Sequence, residues 1–209
     1  MFVQAEKEFS VNKDSILDRE RIIFGDYQFG NESENRPYQI VDDMSKMQKR
    51  IEDYLEDYNA GSKHPMKLVM FLDACDHVSR ICRILRQPLG NALLLGVGGS
   101  GRQSLSRLAT YISNYRLYQI EVIKGYSMRD WRDNVKTCLM MAGCDAKQTS
   151  FLFVDTQIIN EQMLEDINNV LNSGDVPGLY KAEDLEPIYA VGKTECARKQ
   201  LAVTKMNMF

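Results

Sequence analysis

The 209-residue chain has only two histidines and no Cys-x-x-Cys pair among its five cysteines, so it lacks the ligand spacing of a zinc site. No apolar run approaches the roughly 18–20 residues of a membrane-spanning helix. The N-terminal residues lack the basic and apolar regions of a secretory signal. The formal net charge of −3 gives no electrostatic reason to expect nucleic acid as a partner. We therefore expect a soluble globular protein with reduced thiols and neither a membrane nor a nucleic-acid partner.

The apolar pattern predicts four segments. Residues 1–38 are polar apart from a short apolar patch at 22–24 and are expected to form an extended linker. Residues 39–90 show two helical periods, the second of which is expected to begin near Pro65. Residues 91–180 are expected to form an α/β core, and residues 181–209 have a loop-like composition.

The α/β core alternates strands with helices. Apolar runs predict strands at residues 92–96, 118–123 and 150–155, the first of them covered on both faces. Helical periods follow at residues 102–114, from the capping sequence Ser127–Asp130, and at residues 161–172. This alternation predicts right-handed crossovers and a parallel sheet.

A glycine-rich loop follows the first predicted strand. The stretch GVGGSGRQ matches both glycines of the P-loop pattern G-x-x-x-x-G-K-[ST]. Glycines let successive backbone N–H groups point inward at a phosphate, and the next helix adds the positive end of its dipole. The candidate nucleotide-binding residues are therefore Gly96, Val97, Gly98, Gly99, Ser100, Gly101, Arg102, Gln103 and Ser104.

Two of these residues depart from the pattern. Arg102 replaces the lysine that reaches the phosphates, and it keeps the charge in a bulkier, forked form. Gln103 replaces the hydroxyl residue that binds Mg²⁺, and its amide oxygen is a weaker ligand. Ser104 is one residue late, which rotates it by about 100° around a helix. We expect weakened magnesium binding.

The apolar run FLFV ends on Asp155 and resembles a Walker B strand. Asp155 is the candidate magnesium ligand, acting through water. The next residue is Thr156, which has no basic side chain near neutral pH. General-base assistance, worth about 10²–10⁴ in rate, is therefore expected to be absent, and no catalytic residue is assigned.

Longer stretches carry a specific resemblance. They are RIIFGDY at 21–27, YLEDYN at 54–59, residues 72–109 with GVGGSGRQSL, FLFVDTQI at 151–158, and LEDINNVLNSGDVPGLY at 164–180. Together they resemble the fourth AAA+ module of axonemal dynein heavy chains. The resemblance implies a P-loop NTPase (AAA+) α/β/α fold preceded by two helices, with ATP or ADP as cofactor, either alone or together with Mg²⁺. It also implies that the patch at residues 22–24 lies near the adenine edge.

An AAA+ sheet has the strand order 5-1-4-3-2, and the predicted strands correspond to strands 1, 2 and 3. Strands 4 and 5 and the helical lid are therefore expected to be missing, so the chain is expected to be a piece of a larger heavy chain. Unpaired edges on its apolar strands are a further expectation. By the resemblance, the larger protein is a minus-end-directed microtubule motor of the ciliary axoneme. Its partners are neighbouring AAA+ modules, intermediate and light chains, and microtubules.

Three functions stay open at this point. The preferred one is a regulatory module that binds ATP or ADP without hydrolysing it. An active P-loop ATPase or kinase would use Arg102 and a base that the motifs do not reveal. A structural scaffold would leave the glycine loop empty.

Overall fold

A computed structural model describes residues 22–30 and 36–208, and most of the expected N-terminal linker lies outside them. The chain separates into two compact units, residues 1–88 and 89–209. Unit 1 contains β1 (Phe24–Gly25), a 3₁₀ turn (Tyr27–Phe29), β2 (Gln39–Ile40), α1 (Met44–Gly61) and α2 (Leu72–Arg86). The strands β1 and β2 pair antiparallel. The linker prediction for residues 1–21 and 31–35 stays untested, because these residues lie outside the described ranges.

The two helices expected before the α/β core are present in unit 1. Helix α1 begins after Asp43, whose carboxylate accepts the backbone N–H of Lys46 at 3.0 Å, as an N-cap residue does. Each helix buries one apolar face; the buried residues are Met47, Ile51, Tyr54 and Leu55 of α1, and Ala74, Cys75, Val78, Ser79, Ile81 and Cys82 of α2. Burial raises the pKa of the Cys75 thiol to about 11, so this thiol is protonated at neutral pH.

The prediction that α2 begins near Pro65 is wrong, because the helix begins at Leu72. The side chain of Asn59 holds the connecting segment in a non-helical path. Its Nδ2 donates to the carbonyl of Met66 at 2.9 Å, and its Oδ1 accepts the Met66 N–H at 2.7 Å. Met66 and Met70 are buried along this path, so the segment before α2 packs as a loop and not as the first turns of a helix.

Tyr27 is the central side chain of unit 1 and is fully buried. Its phenolic oxygen lies 2.5 Å from the Ser79 hydroxyl, and the Tyr54 hydroxyl donates to its carbonyl at 3.2 Å. Burial raises the pKa of the Tyr27 phenol. The preceding Asp26 forms an ion pair with Arg86 at the end of α2. The Gly-Asp-Tyr sequence therefore attaches β1 to both helices.

We predict that Gly25→Ala destabilises unit 1 by about 1–3 kcal/mol, the usual cost of overpacking. A Cβ at Gly25 would lie 2.3 Å from Cε1 of the Tyr27 ring, and that ring is buried and fixed by its hydrogen bonds. Chemical denaturation of the variant measures the loss. Gly61→Ala is the control, because an added Cβ there meets nothing within 4 Å. Equal denaturation midpoints for the two variants would contradict the close approach of the added Cβ to the Tyr27 ring.

Unit 2 contains the predicted α/β alternation. Its elements are α3 (Arg102–Ile112), β3 (Arg116–Tyr118), α4 (Met128–Gly143), β4 (Thr149–Phe151), a 3₁₀ turn (Asp155–Gln157), α5 (Glu161–Ser173), α6 (Ala182–Arg198) and α7 (Lys205–Met208). Strands β3 and β4 pair in parallel, from Arg116 opposite Thr149 to Tyr118 opposite Phe151. The parallel sheet is confirmed, but its strands are short, and β3 shares only Tyr118 with the strand predicted at residues 118–123. Among the described helices, none combines the length and the apolarity needed to cross a bilayer.

One hydrophobic core joins the sheet to the helices that follow it. Trp131 of α4 is fully buried, and its ring lies 5.1 Å from that of Phe153. The capping box predicted at Ser127 and Asp130 is present at the start of α4. The buried core residues are Ile120, Trp131, Val135, Met163, Val176 and Leu179. The loop after α5 thus contributes to the core as much as the helices do.

Asp166 of α5 is a buried carboxylate, 2% exposed. It accepts the indole N–H of Trp131 at 2.9 Å and lies 3.4 Å from the Arg132 guanidinium. A buried charge is tolerated when it is paired and hydrogen-bonded. Asp166 therefore fixes α5 against α4.

We predict that Asp166→Ala lowers the free energy of unfolding of unit 2 by about 1–3 kcal/mol, because it leaves the buried Trp131 N–H without an acceptor. Asp166→Asn retains an acceptor oxygen for that N–H and is expected to lose less. Urea denaturation followed by Trp131 fluorescence compares the two, since Trp131 is the single tryptophan. Equal losses would show that the indole hydrogen bond is not the source of the stability.

The buried strand expected at residues 92–96 is absent. This segment has no strand partner in the described part of the chain, and Leu93 and Leu95 are 84% and 82% exposed. In the order 5-1-4-3-2, strand 1 is separated from strand 3 by strand 4. Residues 92–96 would therefore not pair directly with β4, and in the structure they form an exposed segment instead of a strand.

The C-terminal segment is not loop-like, because α6 spans 17 of its residues. Asp184 accepts the backbone N–H of Lys181 at 2.8 Å and binds Nζ of Lys136 on α4 at 3.1 Å. These contacts anchor the start of α6, although Pro187 lies inside the helix and disfavours it. The division into four segments stays a prediction.

Candidate functional site

The glycine loop, residues 96–101, leads directly into α3. Gly101 is the N-cap of this helix and has the left-handed φ of +78°; Gly99 has the same φ. A side chain in this conformation costs about 1–2 kcal/mol. The predicted helix at 102–114 is confirmed with bounds Arg102–Ile112. The loop therefore has the backbone shape for which its glycines were singled out.

Backbone N–H groups at the start of α3 are available to an anion. The first turn of a helix has N–H groups without intrahelical partners, and Gly101 supplies no side chain to cap them. A Cβ added at Gly98, Gly99 or Gly101 would meet nothing within 4 Å, so the space at the loop is open. Because the helix dipole adds positive potential at the same place, these residues fit a phosphate group.

Arg102 folds back over the loop that precedes it. Its Nη1 donates to the carbonyl of Leu94 at 3.3 Å, and its Nη2 donates to the carbonyl of Val97 at 3.1 Å. The Cδ and Nε atoms pass 3.6 Å from the Cβ position of Gly96. The planar fork of arginine allows both carbonyls to be bound at once, which suits arginine better than a single ammonium group. Arg102 thus holds the two sides of the loop together.

The remaining residues at this end of the helix are polar and accessible. Gln103 is exposed and Ser104 is half-buried in the first turn of α3. The exposed Ser100 donates its backbone N–H to the carbonyl of Val97 at 3.3 Å. All nine loop residues named from the sequence are therefore contiguous around one helix N-terminus.

Asp155 lies at the end of the β4 segment, where the 3₁₀ turn begins. It is exposed, and its Oδ1 accepts the backbone N–H of Thr156 at 3.0 Å. Thr156 is also exposed and supplies no base. In residues 22–30 and 36–208 no three His, Cys, Asp or Glu side chains gather as a metal site. Asp155 fits a magnesium ion only as one carboxylate partner, with phosphate and water as the other ligands.

The two halves of the candidate site are not joined by direct polar interactions. Among the hydrogen bonds and ion pairs of the described residues, none joins Asp155 to residues 96–104. The binding of nucleotide by residues 96–104 and Asp155 stays a prediction. The position of residues 22–24 near an adenine also stays a prediction.

One residue of this region was missed at the sequence level. Gln157 is only 7% exposed, and its amide bonds to the carbonyl of Ile120 at 2.6 Å and to the N–H of Val154 at 2.9 Å. The sequence signal that could have identified Gln157 is an amide side chain two positions after the aspartate that ends a predicted strand. Periodicity cannot distinguish such a residue from an ordinary turn residue.

Sequence comparison with known proteins gives the family of this chain. The profile of a family described as P-loop containing dynein motor region D4 matches residues 66–209. The chain belongs to this dynein motor region family. The matched residues include the glycine loop, helix α3 and Asp155.

Relatives of this dynein region are axonemal heavy chains. Human dynein axonemal heavy chain 1 is 46% identical over 202 residues, which cover 97% of this chain. Human dynein axonemal heavy chain 6 is 46% identical over 187 residues and 89% of the chain. Mouse dynein axonemal heavy chain 2 is 48% identical over 167 residues and 79% of the chain. The resemblance drawn from the motifs is confirmed.

The chain spans only 4–5% of the length of these relatives. Their full lengths therefore include far more than the residues described above.

We predict that Arg102→Ala loosens the glycine loop. Losing two charge-assisted hydrogen bonds of about 1 kcal/mol in total makes local opening about five times more frequent. Thermolysin cleaves at exposed leucine and valine, so cleavage within residues 93–97 of the nucleotide-free chain measures the opening. Arg129→Ala on α4 is the control, because Arg129 is exposed and distant in sequence. Unchanged cleavage in Arg102→Ala would contradict the stabilising role.

Proposed function

We propose that this dynein motor region binds ATP or ADP without hydrolysing it and acts as a regulatory module. The observation that carries the proposal is the glycine loop at the uncapped N-terminus of α3. It combines left-handed glycines, free first-turn N–H groups and open space. This geometry suits a chain of phosphates and does not depend on the lysine that is missing.

Arg102 has a second role in the proposal. Its guanidinium carries a fixed charge beside the loop, and in the described state it binds two loop carbonyls. A phosphate at the loop offers stronger, charged acceptors than these carbonyls do. Binding would therefore draw Arg102 from the carbonyls to the phosphate, while the backbone N–H groups hold the phosphate from the other side.

The same residues argue against turnover. Gln103 offers an amide oxygen where a hydroxyl would bind magnesium, and Asp155 is the single carboxylate at the strand end. Thr156 occupies the position at which hydrolysing AAA+ proteins carry a glutamate, and it cannot take a proton from water at neutral pH. The proposed module therefore retains nucleotide, and its nucleotide state alters the rigidity of the region.

At the level of the whole protein, we propose an axonemal dynein heavy chain, a minus-end-directed microtubule motor of ciliary movement. The support is the family match and the identity to axonemal heavy chains. Neighbouring AAA+ modules, intermediate and light chains and microtubules would be its partners, and the axoneme its location. Hydrolysis that drives the motor would then occur in another module.

We predict that the chain binds ADP and that Gly101→Asp weakens binding at least tenfold, about 1.4 kcal/mol. Aspartate at φ +78° is strained, and its carboxylate repels phosphate at the loop. Isothermal titration with ADP measures both affinities. Gly143→Asp is the matched control, since a Cβ there meets nothing within 4 Å and lies at the end of α4. Null titrations for all three proteins would favour the structural scaffold.

The absence of hydrolysis is tested separately by phosphate release from ATP at steady state. The expected rate of phosphate release equals that of ATP in buffer without protein. Turnover in the natural sequence that disappears in Asp155→Ala would establish the ATPase alternative and overturn the regulatory proposal.

A further inference from the structure

The parallel ladder of β3 and β4 continues beyond the strands proper. Arg116 donates its N–H to the carbonyl of Gln148 at 2.8 Å, and Leu152 donates to the carbonyl of Tyr118 at 2.9 Å. Bonds of a parallel ladder recur every second residue. The ladder bond that would follow, from the N–H of Ile120 to the carbonyl of Leu152, is not among the hydrogen bonds of the described residues. The bond after that would run from the N–H of Val154 to the carbonyl of Ile120.

The side-chain amide of Gln157 stands between these two groups. Its Oε1 accepts the N–H of Val154 at 2.9 Å, and its Nε2 donates to the carbonyl of Ile120 at 2.6 Å. A primary amide has the same donor and acceptor as a peptide group, so both backbone groups are satisfied. Because the amide is inserted, the two strands separate at this point instead of continuing as a ladder.

The inserted amide also fixes the turn that follows. The backbone N–H of Gln157 donates to the carbonyl of Val154 at 2.9 Å, so Val154 is bonded to Gln157 through both its N–H and its C=O. Asp155 and Thr156 are the two exposed residues enclosed by these bonds. Their direction is therefore set by the buried Gln157 side chain.

We propose that Gln157 is a positioning residue for Asp155: it ends the β3–β4 ladder and directs the Asp155 carboxylate outward as the magnesium partner of the bound nucleotide. The part that concerns magnesium rests on the proposed function. The part that concerns the backbone stands on the two hydrogen bonds of the amide. Gln157 itself contacts neither nucleotide nor metal in this proposal.

The test begins without nucleotide, by measuring amide hydrogen exchange of Val154 and Thr156 in the full chain. In Gln157→Met the thioether is similar in length, but it accepts the Val154 N–H only weakly and donates nothing to Ile120. Both amides are therefore expected to exchange at least fivefold faster. Gln162→Met is the matched control, because Gln162 is exposed on α5 and, among the described residues, its side-chain amide bonds only to Glu165. Exchange equal to that of the natural sequence at both amides would overturn the inference, whether or not nucleotide binds.

Gln157→Val covers the case in which the methionine variant does not fold. Valine removes the inserted amide and lets Val154 bond directly to Ile120. Its Val154 amide is then expected to exchange as slowly as in the natural sequence, while Thr156 exchanges at least fivefold faster because Asp155 has moved. An unchanged Thr156 in this variant would overturn the role of Gln157 in directing Asp155.

The magnesium role is read from ADP affinity with and without Mg²⁺. In the natural sequence Mg²⁺ is expected to strengthen ADP binding, and the ratio of the two affinities is the Mg²⁺ factor. In Gln157→Val this factor is expected to fall to about one, while the affinity for metal-free ADP is unchanged. If the role of Gln157 were purely structural, Gln157→Val would bind ADP more weakly both with and without Mg²⁺. An equal Mg²⁺ factor in the natural sequence and in Gln157→Val would also overturn the positioning role. If the natural sequence binds no ADP but the exchange results hold, the proposed function and the magnesium role fail and the backbone role of Gln157 stands.

Discussion

Parallel pairing of β3 with β4 is the constraint on which unit 2 depends. The pairing places Tyr118 beside Phe151 and leads Ile120 and Phe153 into the core around Trp131. A parallel pair needs a long crossover, and α4 supplies it while covering the sheet. The carboxylate of Asp166 then fixes α5 to α4 through the Trp131 indole. The 3₁₀ turn, α5 and α6 are each placed by a contact with this pair or with its covering helix.

The glycine loop is much less dependent on that pairing. Its shape follows from the left-handed φ of Gly99 and Gly101, from the start of α3, and from the bonds of Arg102 to the Leu94 and Val97 carbonyls. These interactions are local in sequence. They persist although residues 92–96 have no strand partner in the described part of the chain.

Local sequence was sufficient where the controlling interactions are local. The Ser127–Asp130 capping box, the glycine loop and the start of α3 all rest on neighbours within a few residues, and they are where the pattern placed them. Errors occurred where a distant partner decides. The strand at 92–96 needs a neighbour to bury it, and α6 is held by Lys136 across from Asp184. Gln157 was missed because its partner Ile120 is remote in sequence.

Asp155 shows why a motif does not by itself make a site. Its type and position were evident from FLFVD, but its direction depends on how the β3–β4 ladder ends. The inserted Gln157 amide decides that ending, and the Thr156 N–H then occupies one carboxylate oxygen. In the AAA+ order, a strand between strands 1 and 3 would separate the loop from Asp155 by one strand spacing on each side, about 4.8 Å. Magnesium coordination would therefore depend on the distance between the two motifs as well as on their residues, while phosphate binding at the loop would not.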